Sequence, residues 1–298
     1  MTHDPYSLPP HGTLPHHATE LAAPTVARVN GVLADDPPRT ITEMGIFEAD
    51  RILATMVDAA VPGYRWALRA QQQFLAKVIA HAARKKITQF VILRAPLPSG
   101  PNQTTPHTIV KAHVADPTTV MVAREEIPAA HLHLALEKAQ ILHGDDTRAA
   151  AIPAAVHEVH RPLHHVHKPG DWSLDLGKPL CLTMVGDPSH WPDDVAALIR
   201  AYHHEVADGS MLGVSALGHA AAGTEQAAAL DALAEHLATT PEPQLTLRDR
   251  EEVEGWFSGW HLESPGVAPI AHWAGPQPAD IQGPDLPVWC AIATKASS

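Results

Sequence analysis

The chain has 298 residues, 18% charged side chains and a formal net charge of -12 at pH 7. This length favours one core with an appendage over two complete domains. The acidic excess argues against a nucleic-acid partner, because such partners are held through their phosphates by clustered lysine and arginine. No apolar stretch reaches the ~18 residues of a membrane span, and the N-terminus lacks the order of a signal peptide. We therefore expect a cytoplasmic protein that binds neither nucleic acid nor membrane.

The first 85 residues are predicted to form a leader and a helical cap. Residues 1–24 are rich in proline and histidine and have no apolar period, which is typical of a flexible leader. Within residues 25–85, two amphipathic helices are predicted over FEADRILATMVDAAV and YRWALRAQQQFLAKVIAHAARK. Their apolar residues recur every three to four positions, as one buried helix face requires.

Residues 86–298 are predicted to form an α/β domain. Strands are expected at QFVIL, TTVMVA, KPLCLTMVG and SMLGVSAL, and helices at HTIVKAHVAD, IPAAHLHLALEKAQIL, PDDVAALIRAYHHEVAD and TEQAAALDALAEHLAT. Such alternation predicts a parallel sheet flanked by helices. A short helix follows at DREEVEGWFSG, with Asp249 as N-cap and Glu252 completing a capping box. Two last strands, WHLESP and VWCAIATK, are expected as an antiparallel edge.

The two cysteines are predicted to be free and buried. Cys181 and Cys290 each lie inside an apolar run, Leu-Cys-Leu and Trp-Cys-Ala. A chain of this size can bury a core without disulfide bonds, so a structural disulfide is not expected.

Several phrases of the sequence resemble one family. They are PTVARVNGVL, AVPGYRWALRAQQQFL, ITQFVIL, HWPDD, DGSMLGVS and DREEVEGWFSGWHLESPGVAPIAHW, and they are spread over most of the chain. With the order of strands, they resemble an actinobacterial family of S-adenosylmethionine-dependent methyltransferase-like proteins, largely of unassigned function. The resemblance implies a Rossmann-like fold, with a mostly parallel sheet, an antiparallel last strand and helices on both faces.

The first cofactor motif of that family is altered here. The family's first strand ends in an acidic residue and a glycine turn, D-I-G-x-G, whose backbone approaches the methionine part of the cofactor. The matching residues are Ile92, Leu93, Arg94, Ala95 and Pro96. A proline cannot donate a backbone hydrogen bond, and both glycine positions now carry side chains.

The other cofactor motifs also depart from the family pattern. The acid that binds the ribose hydroxyls is replaced by Ala123, and Glu125 and Glu126 follow it at a displaced position, with ~3 Å between successive residues of a strand. The adenine-facing acid corresponds to Glu158. The family's G-G-K-D-N loop is replaced by ADDPPRTI.

These departures leave three interpretations open. The fold has lost S-adenosylmethionine use, or it binds the cofactor through an altered loop as a functional small-molecule methyltransferase, or it binds another nucleotide. The sequence lacks the phosphate-binding glycine loops that binding of another nucleotide would need. We expect the first, and therefore no cofactor.

Candidate site residues follow from the rule that ligands bind at the carboxyl ends of parallel strands. The segment MVGDPSHWPDD supplies an acid, a base and an aromatic side chain in one loop, although its last aspartates are also explained as helix caps. Arg94 could hold an anionic group by a forked contact. The predicted catalytic residues are His190, Asp187 and Glu158, and the predicted substrate-binding residues are Arg94, Glu125 and Trp191.

Histidine is abundant, with 22 residues in all. Five of them fall in HEVHRPLHHVHK, residues 157–168, where enough imidazoles are present to bind a metal. No acid-assisted motif such as H-E-x-x-H occurs, and nearby prolines favour a solvated loop. We expect no metal site.

Two functions from different classes follow. The first is a repurposed catalyst of actinobacterial specialised metabolism that carries out a non-methylating reaction on a small molecule, such as an intramolecular displacement or ring closure. The second is a catalytically silent subunit that supports a related methyltransferase-fold partner. Homo- or heteromeric association is expected from exposed aromatic side chains at Trp256, Phe257, Trp260 and Trp273.

Overall fold

The computed structural model describes residues 23–34, 47–98, 104–123, 126–143, 149–153, 174–186, 190, 194–242 and 244–296. The strands are β1 (Gln89–Leu93), β2 (Thr118–Ala123), β3 (Ala149–Pro153), β4 (Leu180–Met184), β5 (Met211–Leu217), β6 (Trp260–Leu262), β7 (Ala268–Pro269) and β8 (Val288–Lys295). The helices are α1 (Val26–Ala34), α2 (Glu48–Ala60), α3 (Gly63–Arg84), α4 (Pro106–Lys111), α5 (Glu126–His143), α6 (Val195–Glu205), α7 (Glu225–Leu237), α8 (Arg250–Gly255) and α9 (Ala271–Ala274).

The strands form one sheet in the order β3-β2-β1-β4-β5-β8-β6, with β7 also paired to β8. The first five strands are parallel, and β8 runs antiparallel to β5, β6 and β7. Every residue of β1, β2, β4 and β5 is buried, as expected of strands covered on both faces. The predicted fold class, a mostly parallel sheet with an antiparallel last strand and helices on both faces, is confirmed.

Two apolar cores cover the two faces of the sheet. One contains residues of α1–α5 and α7 packed on Phe90, Ile92 and Cys181, and the other contains residues of α6 and α8 packed on Val91 and Leu182. Helix α3 lies close to the sheet, because a Cβ built at Gly213 of β5 would be 2.7 Å from a Val78 methyl carbon. The same helix reaches the carboxyl end of β4, because a Cβ built at Gly186 would be 2.9 Å from Gln71 Oε1.

Helix α1 was not predicted, and two acidic side chains fix its position. Arg28 donates to both carboxylate oxygens of Asp50 at 3.1 and 2.9 Å, and the two side chains are 2% and 0% exposed. At the N-terminus of α1, Glu242 accepts a hydrogen bond from the backbone of Val26, where a negative charge also complements the helix dipole. Long-range charge contacts thus place this short helix over the sheet.

The C-terminal aromatic side chains are not exposed, contrary to the prediction from the sequence. Trp256, Phe257 and Trp260 are buried, at 3%, 3% and 8% exposure, and Trp273 is half-buried, so they do not form an exposed patch. The reason is that β8 lies inside the sheet, between β5 and β6, and these residues pack on the core beside it. Association, which remains a prediction, cannot rest on them.

The capping prediction for α8 is half correct. Asp249 is the N-cap residue, but its side chain makes no capping hydrogen bond. Glu252 instead accepts a hydrogen bond from Arg248 at 2.5 Å, which removes it from the capping box. At α6, Asp194 does cap the helix by accepting from the Ala197 amide at 3.0 Å.

Both cysteines are free and buried, as predicted. Burial raises the pKa of Cys181 to about 12, and that of Cys290 well above its ordinary value. Among the helices that the structure describes, none combines the length and the apolar character needed to cross a bilayer. The predicted leader, apart from residues 23 and 24, lies outside the described residues.

Candidate active site at the strand ends

A cavity of about 120 Å³ lies at the carboxyl ends of β1, β4 and β5, where helices α1 and α3 cover the sheet. The strand order reverses between β1 and β4, so this is the switch point at which open α/β sheets bind their ligands. The volume is below the ~300–1,000 Å³ usual for ligand pockets. The cavity as it stands fits a small ligand.

The turn after β1 forms one wall of this cavity. Arg94 has φ +48°, in the left-handed region that non-glycine residues seldom adopt. Ala95 donates to the carbonyl of Val122 at 2.9 Å and so keeps the turn attached to β2. Leu97 packs against α1, where a Cβ built at Gly31 would lie 2.8 Å from its Cδ1. Side chains of the turn therefore close the cavity against α1.

A buried hydrogen-bond chain forms part of the cavity floor. Ser215 donates to Gln71 Oε1 at 2.8 Å and accepts from the Gly186 amide at 2.7 Å. Gly186 has φ +75°, and a Cβ there would lie 2.9 Å from Gln71 Oε1, so glycine is required on both counts. The chain orients the buried Gln71 amide, which lines the cavity.

Thr183 of β4 is a second polar residue beside the cavity. Its side chain is completely buried, and its Oγ1 has no hydrogen-bond partner in the part of the chain that the structure describes. It lies between Ile92 of β1 and Gly213 of β5, neither of which offers a polar side chain.

Tyr64 and Asn30 join α3 to α1 beside the cavity. The Tyr64 hydroxyl donates to Asn30 Oδ1 at 3.0 Å. Burial, reinforced by the negative charge of Glu242, raises the pKa of Tyr64 far above its ordinary value, against the opposing effect of the Asn30 hydrogen bond. Tyr64 therefore stays protonated and fixes the position of α1.

Two of the six predicted site residues line this cavity. Arg94 contributes to the wall after β1, and His190, which is 5% exposed, lies beyond the end of β4. The other four predicted residues lie outside the described part of the chain, and their roles remain predictions: Glu125, Glu158, Asp187 and Trp191. No aspartate or glutamate is present among the described lining residues.

Sequence reasoning missed Thr183 and Gln71. Thr183 is the polar residue of an otherwise apolar strand, LCLTM, and Gln71 begins a run of three glutamines in an amphipathic helix. Neither pattern indicates a site without the three-dimensional contacts. The histidine-rich segment, residues 157–168, lies outside the described residues, and within those residues no three histidine, cysteine or acidic side chains converge as a metal site would require.

Comparisons with known proteins place the chain in a family. The sequence profile of the S-adenosyl methyltransferases matches residues 43–296. A solved structure of a candidate methyltransferase from Thermobifida fusca is similar at 24% identity and a TM-score of 0.73, covering 96% of this chain and 100% of its own. A DUF574 family protein from Streptomyces avermitilis is similar at 21% identity and a TM-score of 0.73, covering 93% and 99%. No curated protein matches the sequence. At these identities the two structures show a common fold, and the profile match over most of the chain shows that it belongs to the S-adenosyl methyltransferase family.

Proposed function

We propose that this chain keeps the methyltransferase fold but uses its crevice for a small-molecule reaction that does not consume S-adenosylmethionine. The observation that carries the proposal is the turn after β1. There Arg94 and Pro96, both lining the cavity, occupy the positions that match the two glycines of the cofactor turn. Side chains stand where a cofactor needs close approach to the backbone, and Pro96 has no N–H to donate.

The end of β2 supports the same proposal. Ala123, at the position that matches the ribose-binding acid, is 2% exposed and belongs to the apolar core. A methyl group there cannot accept hydrogen bonds from two ribose hydroxyls. The residues present at these two strand ends do not fit the cofactor, so no step of the proposed chemistry involves it.

The charge of the cavity wall favours an anionic group. Arg94 lines the wall with a guanidinium side chain, and no aspartate or glutamate is present in the described lining. An anionic substrate or leaving group would meet the complementary charge.

The reaction class that fits these residues is an intramolecular displacement or ring closure. A substrate amine would attack carbon and form a C–N bond while a C–X bond breaks. In this scheme Arg94 holds the departing anion, and His190 accepts the amine proton. Asp187 or Glu158 would bind the substrate ammonium before attack, and Glu125 and Trp191 would contact the substrate. Such a reaction needs no co-reactant, because the substrate supplies both the attacking amine and the departing anion.

Two further proposals concern the biological role of the protein and an alternative activity. A role in actinobacterial specialised metabolism is proposed from the sequence phrases that resemble the family. A second candidate function, a functional small-molecule methyltransferase, is favoured by the profile match and by the backbone at Arg94. That backbone keeps the left-handed conformation natural to a glycine.

Isothermal titration of the purified chain with S-adenosylmethionine, and with its demethylated product, tests the proposal. We expect no saturable binding of either. A dissociation constant below roughly 10 μM, about -7 kcal/mol, would establish the methyltransferase alternative. Substrate turnover by Arg94→Gln and His190→Gln variants, once the substrate is known, would test their roles against the wild type.

A further inference from the structure

Helix α2 carries an apolar face that is exposed to solvent. Ile52 and Met56, one turn apart on this helix, are 54% and 49% exposed, and Phe47 at its N-cap is 36% exposed. The other large apolar side chain exposed in the described part of the chain is Leu134 of α5. A single exposed apolar residue is ordinary, whereas a row of them on one helix is typical of an interaction surface.

The exposed positions of α2 form a stripe of the kind that packs against a second helix. Glu48, Ile52, Thr55 and Ala59 are all exposed, and they are spaced by four, three and four residues. This spacing keeps the four side chains in line along one face, and it is the spacing of the contact positions in paired helices. Thr55 and Ala59 are small, so a second helix can approach this stripe closely.

The charges beside the stripe complement one another when two copies of α2 pack antiparallel. Arg51 and Asp58 lie on the same flank of the stripe, seven residues or about two turns apart. A two-fold axis perpendicular to both helices brings the same flanks together and reverses their order, so Arg51 of each copy faces Asp58 of the other. Arg51 and Asp58 already pair with Glu48 and Arg65 in their own chain, so the new contacts extend these pairs into a network. The charge pattern therefore favours a second, antiparallel copy as the partner of this face.

We propose that α2 binds α2 of a second copy of this chain in an antiparallel, two-fold symmetric dimer, with Ile52 and Met56 at its centre. A helix of 13 residues is about 20 Å long, so its face offers less than the ~800 Å² that each partner of a stable dimer buries. We therefore expect a weak dimer, with a dissociation constant of roughly 1–100 μM. Association through α2 is independent of the reaction proposed for the cavity, because no residue of α2 belongs to the described cavity lining.

Sedimentation equilibrium of the full chain over about 1–500 μM tests the dimer. We expect the mean mass to rise with concentration toward twice that of the chain. Ile52→Asp places a carboxylate at the centre of the interface and should weaken association at least about tenfold. Leu134→Asp makes the same change at an exposed apolar residue outside the interface and should associate like the wild type.

Charge reversal and crosslinking test the antiparallel register. Arg51→Glu and Asp58→Lys should each weaken self-association, because like charges then face each other, whereas a mixture of the two variants should form a mixed dimer. On oxidation, Thr55→Cys should crosslink two copies, because residue 55 lies next to the two-fold axis. The thiols of Glu48→Cys would lie about 20 Å apart in antiparallel packing, too far for a disulfide, but close together in parallel packing. The two native cysteines are buried and should not react.

A chain that stays monomeric over the whole concentration range would overturn the proposal. So would an Ile52→Asp variant that associates like the wild type, or a Glu48→Cys variant that crosslinks as readily as Thr55→Cys. A monomeric wild type whose melting temperature falls on Ile52→Asp substitution would show that another part of the same chain covers the face, which also excludes the dimer. Ile52 is exposed, so its substitution should not prevent folding; should it do so, the mixture of Arg51→Glu and Asp58→Lys still decides.

Discussion

His107 should make the stability of this protein fall steeply in mild acid. It lies at the start of α4, is 3% exposed, and its Nδ1 lies 2.9 Å from Thr119 Oγ1. Burial, and to a lesser extent the positive charge of Lys111, lowers the pKa of His107 to about 4 from an ordinary 6.5. The folded state therefore keeps this imidazole neutral at pH values where the unfolded chain protonates it.

The sign and size of the effect follow from that difference. As pH falls from about 6.5 to about 4, the unfolded state binds a proton that the folded state does not, so the free energy of unfolding decreases. At 1.36 kcal/mol per pH unit, the free energy of unfolding decreases by about 3 kcal/mol in all. Above about pH 7.5, His107 causes no such decrease. Protonation below pH 4 adds no further loss from this residue.

Urea denaturation of the wild type and of His107→Asn from pH 7.5 to pH 4 measures the effect. Asparagine can keep the contact with Thr119 but does not titrate. The free energy of unfolding of His107→Asn should therefore fall by about 3 kcal/mol less than that of the wild type. The exposed His113, changed to asparagine, serves as a control and should leave the wild-type pH dependence intact. Equal pH dependence of wild type and His107→Asn would refute the buried neutral imidazole.

Three further substitutions or reactions have defined outcomes. Thr183→Val should raise the free energy of unfolding of the ligand-free chain by about 1 kcal/mol, because it removes an unpaired buried hydroxyl; a lower melting temperature than that of Thr183→Ser would contradict this. Asp50→Ala should cost about 3–5 kcal/mol in urea denaturation, since it leaves Arg28 buried without its carboxylate, and a loss below about 1 kcal/mol would show that the ion pair does not hold α1. Cys181 and Cys290 should react with a thiol reagent only on unfolding, and modification at the rate of a free peptide thiol would contradict their burial.

Strands β1, β2, β4 and β5 could be predicted because they are buried on both faces, whereas β3 and β7 were not predicted. Such strands are continuous apolar runs, and TTVMVA spans the same six residues in sequence and structure. The alternation of strands and helices then predicted the parallel sheet. Helix α1 could not be predicted in this way, because its position depends on an ion pair between residues 22 apart in the chain.

The C-terminal aromatic residues show a second limit of sequence reasoning. Their burial depends on where β8 enters the sheet, and the sequence of β8 does not specify that it lies between β5 and β6. Pairing between distant segments decides exposure here, whereas local composition suggested an interaction surface.

The candidate site was predictable only in outline. The strand-end rule placed Arg94 and His190 in the crevice, and both line the cavity. Thr183 and Gln71 lie beside the cavity through burial and hydrogen bonding, which the sequence does not display. Their residue types, a threonine in a strand and a glutamine in a helix, are ordinary in any α/β protein.

The central claim is that the turn after β1 and the end of β2 exclude S-adenosylmethionine. The most direct measurement compares cofactor binding by the wild type with binding by a chain carrying Arg94→Gly, Pro96→Gly and Ala123→Asp, under the same calorimetric conditions. The claim predicts no saturable binding to the wild type and measurable binding to the triple variant, in which the glycine turn and the ribose acid are restored. Cofactor binding of equal affinity by both chains would contradict it.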